Sequence, residues 1–305
     1  MCMKIVILDG ITVTQKDLRW DDLSAIGELE VHDRTDEAQT IRAIGDAEAV
    51  FTSKCHINAE VMDACPSLKF IGVLATGYDN IEIKAAKERG IAVCNVPSYS
   101  TDSVAQHAFA LILEITNRVG LNNDAVQSGE WSRSKDYCLS KNSIIQLAGK
   151  SLGIIGYGNI GRKVAAIAEA FGMKVNVYSR DRQTALKSDV VTIHCPATEE
   201  NKGFINKDFI AQMKDGAILI NTARGVLVNE RDLADALRSG KLSAAAVDVL
   251  GGEPPRDDNP LIGAPNIFIT PHIAWSSAEA RKTICRVSAQ NLKSFMEGGR
   301  LNRVD

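Results

Sequence analysis

The sequence has little of what marks a protein that binds nucleic acid or a membrane. Its 35 Lys and Arg are balanced by 38 Asp and Glu, giving a formal net charge of −3. The basic residues are scattered rather than clustered, so nothing favours binding to a polyanion. The longest apolar runs, such as residues 70–75, have the length of a strand and are too short to cross a bilayer. We therefore expect neither a nucleic-acid partner nor a membrane association.

Paired cysteines are also lacking. The seven cysteines are odd in number and form no C-x-x-C pair, which is typical of reduced thiols rather than of a disulfide framework or a zinc site. Residues 4–8, a lysine followed by four apolar residues, are too short for the apolar region of a signal peptide and predict a first buried strand. We expect a cytoplasmic protein that holds no metal.

Strand-like and helix-like segments alternate through the 305 residues, and the alternation restarts at Lys150. This length allows two domains, and the alternation predicts the α/β class, with parallel sheets covered by helices on both faces. The predicted strands are residues 4–8, 29–31, 49–51, 70–74, 91–94, 151–155, 174–178, 189–193, 217–220, 244–249 and 267–270. The main predicted helices are residues 81–89, 101–119, 159–171, 206–213, 230–238 and 276–296.

The polar stretch before the restart of the alternation at Lys150 has weak periodicity. Gly120 is expected to end the long helix that precedes it, and residues 122–149 include Trp131 and Tyr137. We predict an extended arm here, of the kind that wraps a second subunit.

A glycine-rich turn follows the first strand of the second unit. Residues 156–161 fit G-x-G-x-x-G, and they come between an apolar strand and an amphipathic helix, as a dinucleotide site requires. Gly156 allows the tight turn, Gly158 lets the backbone approach a pyrophosphate, and Gly161 allows close packing of helix and strand. The helix N-terminus supplies N–H donors to the phosphates.

The end of the next strand bears on which dinucleotide is bound. An enzyme that prefers NAD usually has Asp or Glu about 20 residues after the turn, where it binds the ribose 2′-hydroxyl. Here Ser179 occupies that place, Arg180 follows, and Asp181 comes later. A hydroxyl and a guanidinium suit a 2′-phosphate, so NADP(H) is preferred and NAD(H) stays possible.

Three polar residues follow apolar strands of the second unit. They are Arg224, Glu253 and His272, and ligands of an open α/β sheet bind beyond the carboxyl ends of its strands. Arg224 can bind the carboxylate of a 2-oxo acid through both guanidinium nitrogens. His272 can donate a proton to the carbonyl, and Glu253 can fix the tautomer of its ring. Three other histidines, His32, His56 and His107, are predicted to be structural. The sequence thus predicts hydride transfer between a dinucleotide and a small 2-oxo or 2-hydroxy acid.

With these residues assembled, the chain resembles the D-isomer-specific 2-hydroxyacid dehydrogenase family over essentially its whole length. The segments that match are residues 73–80, 103–107, 156–161, 221–225, 252–255 and 271–275. The runs at 101–107 and 271–275 are most similar to the glycerate dehydrogenase (hydroxypyruvate reductase) branch.

The resemblance implies a flavodoxin-like substrate domain (residues 1–99 plus 276–305), a Rossmann dinucleotide-binding domain (residues 100–275) and a homodimer. It gives Arg224, Glu253 and His272 the roles already described. It also implies that the backbone of Ala75, Thr76 and Gly77 binds the substrate carboxylate, that Asp248 contacts the nicotinamide amide and that Trp275 lines the substrate pocket. Further cofactor contacts are expected at Val104, Asn159, Ile160, His194, Cys195, Pro196, Thr222, Ala223 and Ala274.

One segment departs from the family pattern. Only residues 183–188 separate Arg182 from the strand at Asp189, whereas family members usually have a longer stretch with a further helix beside the adenosine site. Either the chain has a deletion or residues are missing from the sequence, and the similarity of residues 185–189 to the end of the usual segment favours the second explanation.

The alternatives within the family are reduction of glyoxylate, D-lactate chemistry and oxidation of 3-phosphoglycerate. A Glu–His acid–base pair is not needed for formate oxidation and disfavours it. The alternative outside enzymes is a dinucleotide-sensing corepressor, which would bind peptides rather than turn over substrate.

Overall fold

The computed structural model describes residues 2–305 and divides the chain into two compact units. Of the described residues, 2–100 and 276–305 form unit 1, and 101–275 form unit 2. None of the helices among residues 2–305 is long and apolar enough to span a membrane.

Unit 1 contains a five-stranded parallel sheet with the strand order β2-β1-β3-β4-β5. The strands are β1 (Lys4–Ile7), β2 (Glu28–Val31), β3 (Ala49–Thr52), β4 (Phe70–Val73) and β5 (Ala92–Cys94). Between them lie α1 (Ile11–Thr14), α2 (Asp21–Ser24), α3 (Thr40–Ile44), α4 (Ala59–Ala64) and α5 (Ile83–Glu88). Strands β3, β4 and the edge strand β5 are buried throughout, as expected for a sheet covered on both faces.

Unit 2 contains a six-stranded parallel sheet with the order β11-β10-β9-β8-β6-β7. Its strands are β6 (Ser151–Ile155), β7 (Lys174–Val177), β8 (Val190–Ile193), β9 (Ala217–Asn221), β10 (Leu242–Val247) and β11 (Ile267–Ile269). Its helices are α6 (Thr101–Asn117), α7 (Val119–Gln127), α8 (Asn159–Ala170), α9 (Arg182–Leu186), α10 (Lys207–Gln212) and α11 (Glu230–Arg238). Helix α12 (Ala278–Met296) belongs to unit 1. The predicted α/β class with two doubly wound parallel sheets is confirmed.

The cores follow from the alternation of side chains along each strand. In β8, Val190 packs in one apolar cluster of unit 2, whereas Val191 and Ile193 pack in the other, because successive side chains of a strand point to opposite faces. In unit 1, Phe295 of α12 packs on Phe70 of β4 with ring centroids 5.3 Å apart. Each sheet is thus covered by helices on both faces.

The short segment after β7 contains one helix. Helix α9 joins β7 to β8 by crossing over β6, which lies between them in the sheet. The crossing is close, because a Cβ on Gly153 of β6 would overlap the carbonyl oxygen of Ala185. Glycine at the middle of β6 therefore allows a five-residue helix to make this crossover.

The predicted end of the long helix at Gly120 is wrong. Helix α6 ends at Asn117, and Arg118 adopts a left-handed conformation with φ of 46° before α7 begins. The side-chain amide of Asn122 donates to the carbonyl of Arg118 and to Asn142 Oδ1. Gly120 therefore lies inside a second helix, and the start of the predicted arm, residues 122–127, is helical rather than extended.

Candidate active site

The glycine-rich turn has the shape that a dinucleotide needs. Gly156 has a φ of 94°, and a Cβ there would overlap the backbone of His194 and Cys195. A Cβ on Gly161 would overlap the carbonyl of Gly156, so both positions require glycine for packing within the protein. By contrast, nothing lies within 4 Å of a Cβ on Gly158, the N-cap of α8. The space beside the helix N-terminus is open, where a pyrophosphate would accept N–H bonds.

Two shielded polar atoms lie beyond the ends of the neighbouring strands β8 and β9. Within residues 2–305, His194 Nδ1 and Thr222 Oγ1 make no hydrogen bond, although both are buried. The other ring nitrogen of His194 lies 2.9 Å from Thr192 Oγ1, and burial lowers the pKa of this histidine to about 3. Buried polar atoms are rarely left without partners, so a neutral imidazole and a hydroxyl remain to bind a polar ligand here. The unpaired ring nitrogen of His194 and the unpaired hydroxyl of Thr222 both fit a bound dinucleotide.

The end of β7 places Arg180 beside the glycine turn. Its guanidinium carbon lies 5.0 Å from the ring centroid of Tyr157, within range of a cation–π interaction. Ser179 and Arg180 are exposed. The carboxylate of Asp181 instead caps α9, since it accepts the backbone N–H of Thr184 at 3.0 Å and its hydroxyl at 2.6 Å. These bonds lower the pKa of Asp181, and each carboxylate oxygen accepts one of them.

The loop after β9 holds Arg224. Asn221 ends the strand and binds this loop twice, donating to the carbonyl of Arg224 at 2.9 Å and accepting from the N–H of Ala223 at 3.0 Å. Arg224 itself is half-buried, and its guanidinium donates to the carbonyl of Ala223 at 2.8 Å. Gly225 then packs directly against the backbone of Leu250. The Arg224 loop is thereby fixed to the loop after β10.

Glu253 and His272, the predicted acid–base pair, are hydrogen-bonded to each other. His272 Nδ1 and Glu253 Oε2 are 2.5 Å apart, and the other carboxylate oxygen accepts the N–H of Leu250 at 3.0 Å. Because a carboxylate can only accept, Nδ1 is the protonated nitrogen in this bond and Nε2 is left to exchange a proton with a ligand. The two side chains are 29% and 33% exposed, so the pair remains accessible to a substrate.

Asp248 holds the loop that carries His272. Its carboxylate is 1% exposed and accepts the N–H groups of Ile273 and Ala274 at 2.9 and 2.8 Å. The hydroxyl of Thr270 donates to the same carboxylate at 2.6 Å. His272 has a φ of 55°, a left-handed conformation that costs free energy in a residue other than glycine and persists only where the surroundings enforce it. Asp248 supplies that enforcement, and its contact with a nicotinamide stays a prediction.

The predicted substrate loop of unit 1 follows β4. Its carbonyls are used within the unit: that of Ala75 accepts the N–H of Val96 at 3.0 Å, and that of Thr76 accepts from Asn95 at 2.8 Å. The Thr76 hydroxyl donates to the carbonyl of Val96 at 2.8 Å. These bonds fix the loop and leave the backbone N–H groups of Thr76 and Gly77 without acceptors among residues 2–305.

The other predicted contacts lie at ends of unit 2 elements. Ala223, Cys195 and Trp275 are partly exposed, Pro196 is exposed, and Val104 and Ala274 are buried. Asn159 and Ile160 begin α8. Sequence reasoning assigned no role to three residues that shape the site, Asn221, Thr270 and Tyr157. Asn221 and Thr270 adjoin the strand ends where the catalytic residues were sought, and Tyr157 lies inside the glycine turn, so position alone could have indicated them.

No group of three or more His, Cys, Asp or Glu side chains within residues 2–305 is arranged to hold a metal ion. A glycine-rich dinucleotide turn, a paired imidazole and carboxylate, and a guanidinium at neighbouring strand ends together define a dinucleotide-dependent oxidoreductase.

Comparison with known proteins agrees with this class. Residues 109–274, more than half of the chain, match the family described as D-isomer specific 2-hydroxyacid dehydrogenase, NAD binding domain. The chain belongs to the D-isomer specific 2-hydroxyacid dehydrogenase family, and the predicted family and the predicted enzyme class are confirmed.

Individual relatives that align with most or all of the chain indicate which activities within the family it is similar to. The chain is 46% identical to hydroxypyruvate reductase of Blautia hydrogenotrophica, over 99% of this chain and 100% of that protein. It is 38% identical to glycerate dehydrogenase of Methylorubrum extorquens, over 88% of each. Among solved structures, the NADPH-dependent glyoxylate/hydroxypyruvate reductase of Sinorhizobium meliloti, in complex with NADP and malonate, is similar with a TM-score of 0.84 and 26% identity, over 100% of this chain and 97% of that one.

Proposed function

We propose that this protein interconverts hydroxypyruvate and D-glycerate, with NADP(H) as the preferred cofactor. The observation that carries the chemistry is the hydrogen bond between Glu253 and His272, next to a loop that holds Arg224. The similarity to a hydroxypyruvate reductase and a glycerate dehydrogenase supports the substrate. Glyoxylate is the second candidate substrate, because the similar enzyme of known structure is described as reducing both acids. D-Lactate chemistry ranks below these two.

Three side chains of this protein would each have a separate role in the reduction. The Arg224 guanidinium binds the substrate carboxylate through two hydrogen bonds, which orients the adjacent carbonyl. His272 donates the proton on its Nε2 to the carbonyl oxygen, and takes a proton back from the hydroxyl group in the reverse direction. Glu253 accepts from Nδ1 throughout, so it stabilises the charged ring and fixes its orientation. A bound nicotinamide supplies or accepts the hydride.

Further substrate contacts are proposed from unit 1 and from the loop after His272. The N–H groups of Thr76 and Gly77, in the loop that begins at Ala75, can donate to a carboxylate. Trp275 is proposed to line the pocket and to favour a small, flat acid.

The preference for NADP(H) rests on the end of β7. Ser179 and Arg180 offer a hydroxyl and a guanidinium for a 2′-phosphate. Asp181, the nearest carboxylate that could bind a ribose 2′-hydroxyl, is instead oriented by its hydrogen bonds to the first turn of α9. In addition, Tyr157 lies under the guanidinium of Arg180 and orders it toward the glycine turn. The cofactor is proposed to contact the turn at 156–161 and residues 104, 194–196, 222–223, 248 and 274.

The experiment that tests this function measures initial rates of NADPH and NADH oxidation with hydroxypyruvate, glyoxylate and pyruvate in parallel. We expect the highest kcat/KM with NADPH and hydroxypyruvate. His272→Asn should lower kcat by roughly a thousandfold, since general acid–base catalysis contributes about 10²–10⁴, while dinucleotide binding survives. Faster turnover of pyruvate or glyoxylate would overturn the substrate, preference for NADH would overturn the cofactor, and an active His272→Asn enzyme would overturn the mechanism.

We also propose a cytoplasmic homodimer. All seven cysteines are free, as in reducing compartments. Large apolar side chains are exposed along residues 119–145: Val119 is 71% exposed, Tyr137 91% and Ile144 62%, and an apolar surface of this kind favours association. Light scattering should give twice the mass of the chain, and Val119→Asp combined with Ile144→Asp should give the monomer. A wild-type monomer at micromolar concentration would contradict the dimer.

A further inference from the structure

We propose that His107, on helix α6, is a positioning residue for the catalytic loop formed by residues 270–274, and that it acts through Thr270 and Asp248. His107 Nε2 lies 3.0 Å from Thr270 Oγ1 and 3.5 Å from Asp248 Oδ1. His107 contacts neither Glu253 nor His272 among the bonds of this site, so its effect is indirect. The inference rests on the proposed function, since it concerns the presentation of His272.

The direction of these hydrogen bonds can be deduced. Asp248 is a carboxylate with two oxygens that accept, so the single proton of the Thr270 hydroxyl is donated to Asp248. The hydroxyl oxygen must then act as the acceptor toward His107, and Nε2 of His107 must carry a proton. A hydrogen-bond chain therefore runs in one direction, from the imidazole through the hydroxyl to the buried carboxylate. Replacing the imidazole by an apolar group would remove the donor that fixes this direction.

The buried carboxylate needs these donors. Asp248 is 1% exposed, and a buried charge is costly unless hydrogen bonds satisfy it. It receives Thr270 on one oxygen and the N–H groups of Ile273 and Ala274 on its two oxygens. The same residue accepts the N–H of His272 at its backbone carbonyl, at 2.8 Å. A change in the orientation of Asp248 would therefore move the backbone before and after His272.

The catalytic loop contains a strained residue, so it is expected to relax if it is not held in place. His272 adopts a φ of 55°, a left-handed conformation that is strained for a residue other than glycine. Helix α6 braces the loop at two positions one turn apart: Ser103 donates to the carbonyl of Ala274 at 2.6 Å, and His107 donates to Thr270. The i, i+4 spacing puts both side chains on the same face of the helix. These two hydrogen bonds from α6 therefore oppose relaxation of the His272 backbone.

The test compares variants of the intact enzyme in the reductase assay with hydroxypyruvate. His107→Leu removes the donor and Thr270→Val removes the hydroxyl with little change in shape. His107→Gln keeps an N–H donor near the position of Nε2, and Gln106→Leu, an exposed neighbour on α6, is the matched control. For each variant, kcat, the NADPH dissociation constant by fluorescence and the thermal midpoint are measured. His272→Asn, measured alongside, reports separately on the proposed function.

We expect His107→Leu and Thr270→Val each to lower kcat by roughly ten- to a hundredfold, the effect of small misplacements of a catalytic group, while the NADPH dissociation constant changes less than about twofold. His107→Gln should restore kcat to within about threefold of wild type. Because the two residues act in one chain, the double variant should be no slower than the slower single variant.

Wild-type kcat in His107→Leu would overturn the proposal. So would a His107→Gln enzyme as slow as His107→Leu, or losses that multiply in the double variant. If His272→Asn is inactive while His107→Leu is normal, only this inference fails. If His272→Asn is active, the proposed function itself fails.

Discussion

Gly225 packs so closely against Leu250 that a Cβ on the glycine would overlap the carbonyl group of the leucine. The contact joins the loop after β9 to the loop after β10, and the two loops carry different residues of the proposed site. Gly225 follows Arg224, the proposed carboxylate ligand, and the N–H of Leu250 donates to Glu253 at 3.0 Å. This backbone contact, which only glycine allows, therefore fixes the loop of the proposed substrate-binding guanidinium against the loop of the proposed acid–base pair.

Gly225→Ala should separate these loops. The new methyl group meets backbone rather than a flexible side chain, so we expect an overpacking cost of about 1–3 kcal/mol in the free energy of unfolding. The KM for hydroxypyruvate should rise at least tenfold. Gly252→Ala, in the same loop but with nothing within 4 Å of its Cβ, is the control for stability. Equal thermal midpoints for the two variants would contradict the role assigned to Gly225.

Glu253→Gln should affect the two directions of the reaction unequally. The amide can still accept the bond from His272 Nδ1, but the negative charge that stabilises an imidazolium is lost. Reduction needs the protonated ring, so we expect its kcat at neutral pH to fall by roughly a hundredfold. Oxidation needs the neutral ring and should lose less. The measurement is kcat for both directions at pH 7 and pH 9, and an equal loss in both would argue against a charge-stabilising role.

The sequence alone predicts the sheets, the glycine turn and the contact between Glu253 and His272, because each depends on local pattern. Apolar runs predict buried strands, and polar residues directly after those runs predict a site at the strand ends. Residues whose role depends on packing were missed. The importance of Gly225 follows from its distance to Leu250, and the role of His107 follows from a contact with Thr270, 163 positions away in the chain.

The end of the long helix shows the same limit. Gly120 was expected to terminate it, since glycine commonly follows a helix end. The break comes instead at Arg118, whose left-handed conformation lets a second helix start directly at Val119. The side chain of Asn122 binds the carbonyl exposed at this break. No local preference of arginine indicates such a conformation, so the break depends on contacts made after the chain folds.

Tyr157→Leu should weaken the discrimination between the two cofactors. The ring of Tyr157 lies under the guanidinium of Arg180 at 5.0 Å, and a cation–π pair at an exposed site contributes about 0.5–1 kcal/mol. We expect the NADPH dissociation constant to rise about two- to fivefold while that of NADH is unchanged. Tyr157→Phe keeps the ring and should match wild type. In an Arg180→Ala background the leucine change should have no further effect, and a persisting effect would show that Tyr157 acts independently of Arg180.

Asp189 should make the stability of unit 2 depend on acid. Its carboxylate joins two strands, accepting the N–H and hydroxyl of Ser151 at the start of β6 and the ammonium of Lys214 at 2.6 Å. Burial raises the pKa of this carboxyl group, but these hydrogen bonds outweigh burial and lower it to about 2. The folded pKa lies below the unfolded value of about 3.9. The stabilisation is therefore complete above about pH 5 and is lost as the pH falls toward 2.

Asp189→Asn should accordingly lower the free energy of unfolding by about 1–2 kcal/mol at pH 7, a figure reduced for the 22% exposure of the side chain. The difference from wild type should shrink steadily between pH 5 and pH 3, because wild type then protonates the group that the variant has already neutralised. Thermal midpoints measured across this range test the sign directly. Asp258→Asn, which removes an exposed partner of Arg256, should leave the midpoint unchanged at every pH. A difference for Asp189→Asn that grows on acidification would mean that the carboxylate opposes folding rather than stabilising the fold.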